Sequence, residues 1–177
     1  MIAGAPDVLG VQTQLLSCAY SALGAVTGVG LPQRVAVTPG PPTWDGCDCG
    51  LLTVHASRLY TSTTFPADAG GETSQRRCGN PYLAVDVTVS IVRCAPTFGV
   101  NSAPPTVEKE IEAARVLWDD AAAVLSGVAC CLQTLYDART IHEYVVRQQV
   151  VIGPEGGCVG TDTSLTVGFV NGCMCKE

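Results

Sequence analysis

Tyr82-Leu-Ala-Val-Asp-Val-Thr-Val-Ser-Ile-Val-Arg-Cys94 decides the fold. Leu83, Val85, Val87, Val89 and Ile91 alternate with Ala84, Asp86, Thr88 and Ser90. That period of two describes a strand with one dry face and one wet face, as in an antiparallel or mixed sheet covered on one side. The cover is found downstream. In the segment from about 106 to 136, Ile111, Ala114, Trp118, Ala121, Leu125, Val128, Leu132 and Leu135 recur at alternating intervals of three and four. This predicts a long helix whose stripe lies on Val85, Val87 and Val89. Thr106 stands where an N-cap belongs, and Glu108 and Glu110 sit near the positive end of the helix dipole. Gly127, inside the helix, predicts close packing rather than a break.

Outward from this pair, residues 7–26 read as a helix capped by Asp7, with Val8, Val11, Leu15, Cys18 and Ala22 along one side. Leu51–Thr61 reads as a strand with Leu52, Val54, Ala56 and Tyr60 on one face. Residues 34–50 read as a loop, with 34–38 as an optional short strand, and residues 62–81 as a long loop broken by Pro66, Gly70, Gly71, Gly79 and Pro81. Glu143–Ile152 and Thr163–Val170 read as strands joined by a glycine-rich loop at 153–160. The expectation is one α+β domain over 1–177, its core at about 7–170 and a short tail at 171–177. It has two layers, with a mixed or antiparallel sheet of about four strands packed on one long helix plus an N-terminal helix.

Composition narrows the function. The 177 residues are 47% hydrophobic and only 15% charged, so part of the surface is expected to be covered by other subunits. A net charge of −6 and ten basic residues argue against binding a phosphate backbone. The first 33 residues hold no Lys or Arg, and the apolar run 113–135 is broken by Arg115, Asp119, Asp120 and Gln133. Neither a secretion signal nor a membrane span is expected.

Ten cysteines point to disulfides or metal. Cys47-x-Cys49 and Cys173-x-Cys175 have the wrong spacing for a zinc knuckle. Cys47, Cys49, Cys78, Cys94, Cys131 and Cys158 are the disulfide candidates, with two or three bridges expected and no connectivity derivable. His55 and His142 are the only bases for a thiol nucleophile. No G-x-S-x-G elbow or phosphate loop occurs, and Asp119-Asp120 reads as a solvated pair. No catalytic residue, cofactor or metal is expected. Trp44 reads first as a plug at the end of the core and second as an anchor for a partner. Trp44, Asp45, Phe65, Arg76, Arg77 and Glu155 are the candidate interface residues.

Several marks recur in a familiar order: Arg34-Val-Ala-Val-Thr-Pro-Gly40, Trp44-Asp45, Leu51-Leu-Thr-Val54, Thr64-Phe-Pro66, Val92-Arg-Cys-Ala-Pro-Thr97, Asp120, Cys130-Cys131 and Gly156-Gly-Cys-Val-Gly160. Over roughly residues 10–170 the chain resembles the tail terminator proteins of long-tailed actinobacteriophages. The resemblance implies a non-enzymatic virion protein of the neck, assembled in the host cytoplasm as a hexameric ring. Such a ring caps the tail tube protein, docks the head–tail connector or stopper, and lets DNA pass its lumen without specific binding. It implies no membrane and no catalytic residue. The competing readings are another connector, stopper or minor tail component, and a zinc- or thiol-dependent small protein.

Overall fold

The computed structural model describes residues 6–42, 50–69, 82–97 and 103–170. In chain order the elements are α1 (Val8–Leu23), β1 (Arg34–Val37), β2 (Leu51–Ser62), β3 (Tyr82–Cys94), α2 (Val107–Asp137), β4 (Glu143–Glu155) and β5 (Cys158–Val170). The strands form one mixed sheet ordered β1-β2-β3-β5-β4, and both helices lie on the same face of it. This is the expected two-layer α+β fold.

The alternation in β3 carries the core. Val85, Val87, Val89 and Ile91 pack with Leu52 and Val54 of β2 and with Leu165, Val167 and Phe169 of β5. Val11, Leu15, Ala19 and Leu23 of α1 close one half of this face, and Val124, Val128, Leu132 and Leu135 of α2 close the other. Removing a side chain such as Leu or Val from water yields about 1.5–3 kcal/mol each, so these stripes hold the layers together. By length and composition α2 also passes for a membrane span, as a core helix of a soluble protein can. Its inner face here lies in the described core.

Four expectations need correction. The sheet has five strands rather than about four, because Arg34–Val37 pairs in parallel with Leu51–Val54. The loop at 153–160 is much shorter than expected. β4 runs to Glu155 and β5 starts at Cys158, with Gly156 and Gly157 both at positive φ in the turn between. On β2, a bulge between Ala56 and Arg58 shifts the phase, so Tyr60 leaves the face of Leu52 and Val54 for the opposite one.

The fourth correction concerns α2. Ile111, Ala114 and Trp118 are exposed and Leu125 is partly so, while Leu117, Ala121 and Val124 take the inner positions. A three–four alternation averages 3.5 residues per turn, whereas a straight helix has 3.6. The mismatch turns a stripe by about 20° per heptad, or roughly 70° between Ile111 and Leu135. The stripe is therefore in the core at its end and outside it at its beginning.

The helix ends follow local chemistry in one case and not in the other. Asp7 accepts a hydrogen bond from the Gly10 amide at 2.8 Å and caps α1. Thr106 occupies the N-cap of α2 with extended backbone, but its side chain makes no cap bond. Gly127 behaves as expected. A Cβ there would lie 2.6 Å from Ala22 Cβ and 3.0 Å from the Cys18 carbonyl oxygen, both on α1. Gly127→Leu is expected to lower stability in urea titration by about 1–3 kcal/mol through overpacking. It does so although glycine inside a helix costs about 1 kcal/mol relative to alanine.

Candidate interaction surfaces

The two faces of the sheet differ in chemistry. On the face away from the helices, Asp86 of β3 is the hub of a polar cluster. Thr166 Oγ1 donates to Asp86 Oδ1 at 2.6 Å, and Arg147 Nε donates to Thr166 Oγ1 at 2.7 Å. Arg147 Nη2 lies 3.4 Å from both Asp86 Oδ1 and the Tyr60 hydroxyl. The hydroxyl itself is 2.9 Å from the Pro66 carbonyl, which ties down the loop after β2. Burial, and then the Asp86 carboxylate, push the Tyr60 phenol up from its ordinary value. Two irregularities assemble the cluster: the bulge on β2 delivers Tyr60, and the register shift between Val146 and Gln148 on β4 delivers Arg147. The bonds satisfy one another, so the cluster reads as a fastening between β2, β3, β5 and β4.

Beside it lies a row of enclosed polar groups. Thr53, Ser90 and Asp162 are neighbours across β2, β3 and β5, and His55 lies two residues further along β2. Thr53 Oγ1, His55 Nδ1, Ser90 Oγ and Asp162 Oδ1 are buried without hydrogen-bond partners among the described residues. Burial lowers the His55 pKa from its ordinary value, opposed by the charge of Asp162. The imidazole is thus held neutral in the fold. As pH falls below about 6.5, the unfolded chain takes up a proton that the folded chain resists. Stability is complete above that pH and declines as pH falls from there towards the lower folded value. Melting temperature measured from pH 8 down to pH 5 should fall, and His55→Gln should flatten the slope.

The lateral ends of the molecule carry most of the exposed large apolar side chains among the described residues. At one end, β4 is the outer strand and α2 overhangs it. Gln149 Nε2 of β4 donates to the Ala121 carbonyl of α2 at 2.9 Å, which fixes the helix above the strand. Ile111 is 64% and Trp118 60% exposed, Leu125 lies on the same flank, and Val150 and Val151 are exposed on the strand. Arg115 binds Glu112 and Asp119 on the polar side of α2, leaving the flank apolar. At the other end, β1 is the outer strand, and Leu9, Tyr20, Leu31 and Val35 are exposed on or beside it and α1. Exposed apolar side chains gathered on one flank mark a candidate contact surface.

An apolar groove runs under the first turns of α2. A cavity of about 470 Å³ lined by Arg93, Cys94, Pro96, Glu112 and Leu117 adjoins one of about 300 Å³ lined by Ala114, Pro154 and Val159. Its walls are mainly hydrocarbon. Among the described residues no group of three His, Cys, Asp or Glu side chains converges as a metal site would require.

The residues singled out from sequence fall in different places. Trp44, Asp45, Arg76, Arg77, Cys47, Cys49 and Cys78 lie outside the described residues, as do Cys173 and Cys175. Phe65 is half-buried, meets the Tyr82 ring edge-on at 6.2 Å and would contact a Cβ at Gly168, so it packs on the sheet. Glu155 is exposed at the end of β4. Cys94 faces Cys158 across the β3–β5 ladder, and Cys158 is disulfide-bonded. Cys131 is bonded to Cys18, a cysteine read from sequence only as a helix-stripe residue. Asp120 is buried and ion-paired with Arg93, contrary to its reading as a solvated residue. Spacing places Trp118 in the core, whereas the structure places it exposed on the α2 flank. The drift of a 3.5-residue repeat along a straight helix was the signal that could have revealed it. No protein-family model and no curated protein matches the chain.

Proposed function

We propose that this chain is a structural, non-enzymatic protein that assembles with copies of itself, and that its role is that of a tail terminator in the neck of a long-tailed phage. In this reading a hexameric ring caps the tail tube, presents a docking surface to the head–tail connector, and lets DNA pass through its lumen. One observation carries the self-assembly: the two lateral ends each combine an outer strand with an exposed apolar helix flank, and the two ends are different. A subunit with two unlike adhesive ends builds head-to-tail assemblies, which close into rings when the rotation allows. The ordered motifs along residues 10–170 support the assignment to the phage neck. The net charge of −6 supports a lumen through which DNA slides without being held.

Light scattering on the purified chain tests the first part, with a mass of six copies expected. Immunogold imaging of virions tests the second, with label expected at the junction of tail tube and head. A chain that stays monomeric at high micromolar concentration defeats the ring. A ring found elsewhere in the particle, or in cells without phage, defeats the terminator role and leaves self-assembly standing.

A further inference from the structure

We infer that the partner of the β4–α2 end is the β1–α1 end of a second copy, so that the sheet runs on from subunit to subunit with its helices side by side on one face. This rests on the reading that the chain assembles with itself, and it names the surfaces that do so.

Strand direction permits it. β1 and β2 are parallel, and each later neighbour in the sheet is antiparallel to the one before. A second copy placed in the same orientation beyond β4 therefore brings its β1 antiparallel to β4, a standard ladder. The lengths match as well. Register shifts on β4 between Val146 and Gln148 and between Ile152 and Glu155 leave a regular run at 148–152. β1 has four residues, 34–37. Bulges elsewhere on β4 would restrict pairing to that run.

The edge of β1 is also equipped for it. The Arg34 amide donates to Gly50 and the Thr38 amide to Val54, so the alternate amides of Val35 and Val37 point away from β2. Val35 and Val37 lie opposite Leu52 and Val54, on the helix side of the sheet. In the joined sheet they come beside Gln149 and Val151, below the flank that bears Trp118 and Leu125. Across the helix layer, Leu9 and Tyr20 of the second α1 meet that flank. Each end offers at least four exposed large apolar side chains, enough to form the apolar centre that a stable interface needs. A second copy satisfies both ends with one contact. An unrelated partner at each end would need two.

Two substitutions disable the ends separately. Val35→Pro removes an outward amide without removing a β1–β2 bond, and Val151→Lys puts a charge beneath the α2 flank. Circular dichroism checks that each variant folds, and Leu9→Glu replaces Val35→Pro if the latter does not. Light scattering should show the parent chain as a multi-copy species and each variant as a monomer. A one-to-one mixture of the two variants should stop at two copies, because one intact end remains on each. Val170→Lys, at an exposed apolar site away from both ends, should keep the parent mass. If the parent is multi-copy and the two variants remain so, the named surfaces are wrong although self-assembly stands. The inference also fails if the mixed variants do not pair, or if Val170→Lys disperses the assembly equally. A monomeric parent overturns both the inference and the proposal beneath it.

Discussion

Replacing Arg93 with methionine should cost about 3–5 kcal/mol of folding stability, because it strands a buried carboxylate. Asp120 on α2 is only 1% exposed. Arg93, near the end of β3, reaches it through Nε at 2.6 Å and Nη2 at 3.1 Å, in the two-point geometry that a guanidinium and a carboxylate share. The third arm of the guanidinium donates to the Gly30 carbonyl at 2.8 Å, so one side chain ties the sheet to α2 and to the chain after α1. Without the guanidinium, Asp120 must stay charged and unpaired or bind a proton, and each alternative costs free energy. Asp120→Asn should cost less, since an amide can still accept a hydrogen bond from Arg93. Replacing both partners, as Arg93→Met with Asp120→Leu, should recover most of the loss. Urea titration of the parent, Arg93→Met, Asp120→Leu and the double variant forms a double-mutant cycle. Additive losses in the double variant would show that the pair is not coupled as the geometry requires.

That ion pair also shows where sequence reading stops. Adjacent acids on a helix diverge by about 100°, so one of Asp119 and Asp120 had to differ from the other in surroundings. Nothing local says which one, because the deciding partner lies 27 residues earlier on another element. The alternation in β3 was legible because its period is intrinsic to the strand. The existence of α2 was legible for the same reason, but its orientation depended on a small mismatch in period that only tertiary packing resolves. The bulge on β2 and the shift on β4 leave no compositional mark, yet they decide that Tyr60 and Arg147 join Asp86 and Thr166. The β4–β5 turn is shorter than its glycine-rich sequence suggests, because β4 continues through Gly153 and Pro154 to Glu155. As for the candidate surfaces, the low charge of the chain raises the expectation of exposed apolar area, and the placement of strand edges at opposite ends of the sheet, which no local pattern gives, shows where such area lies.

The disulfide between Cys18 and Cys131 should contribute about 2–4 kcal/mol, and breaking it should be the second large loss available to the molecule. It joins α1 to α2 with Cα atoms 6.0 Å apart, within the usual range for a bridge, across a sequence separation of 113 residues. A cross-link of that span removes much loop-closure freedom from the unfolded chain; the entropy estimate for about 100 residues is about 4.7 kcal/mol, and measured effects are commonly smaller. Its surroundings limit any native-state gain from breaking it, because Ala22, Cys18 and Gly127 already bring the helices into contact. Cys18→Ala with Cys131→Ala should therefore retain the fold, with unchanged far-ultraviolet circular dichroism, and unfold at a lower urea concentration. The double variant isolates this bridge, whereas treatment with reductant also reaches the disulfide at Cys158. If the alanine pair matches the parent in urea, the bridge is dispensable, and the close approach at Gly127 with the shared core holds α1 on α2. If it unfolds outright, the helix layer depends on the covalent link, and a chain made in a reducing compartment would have to be oxidised before its two ends could present a settled surface to a neighbour.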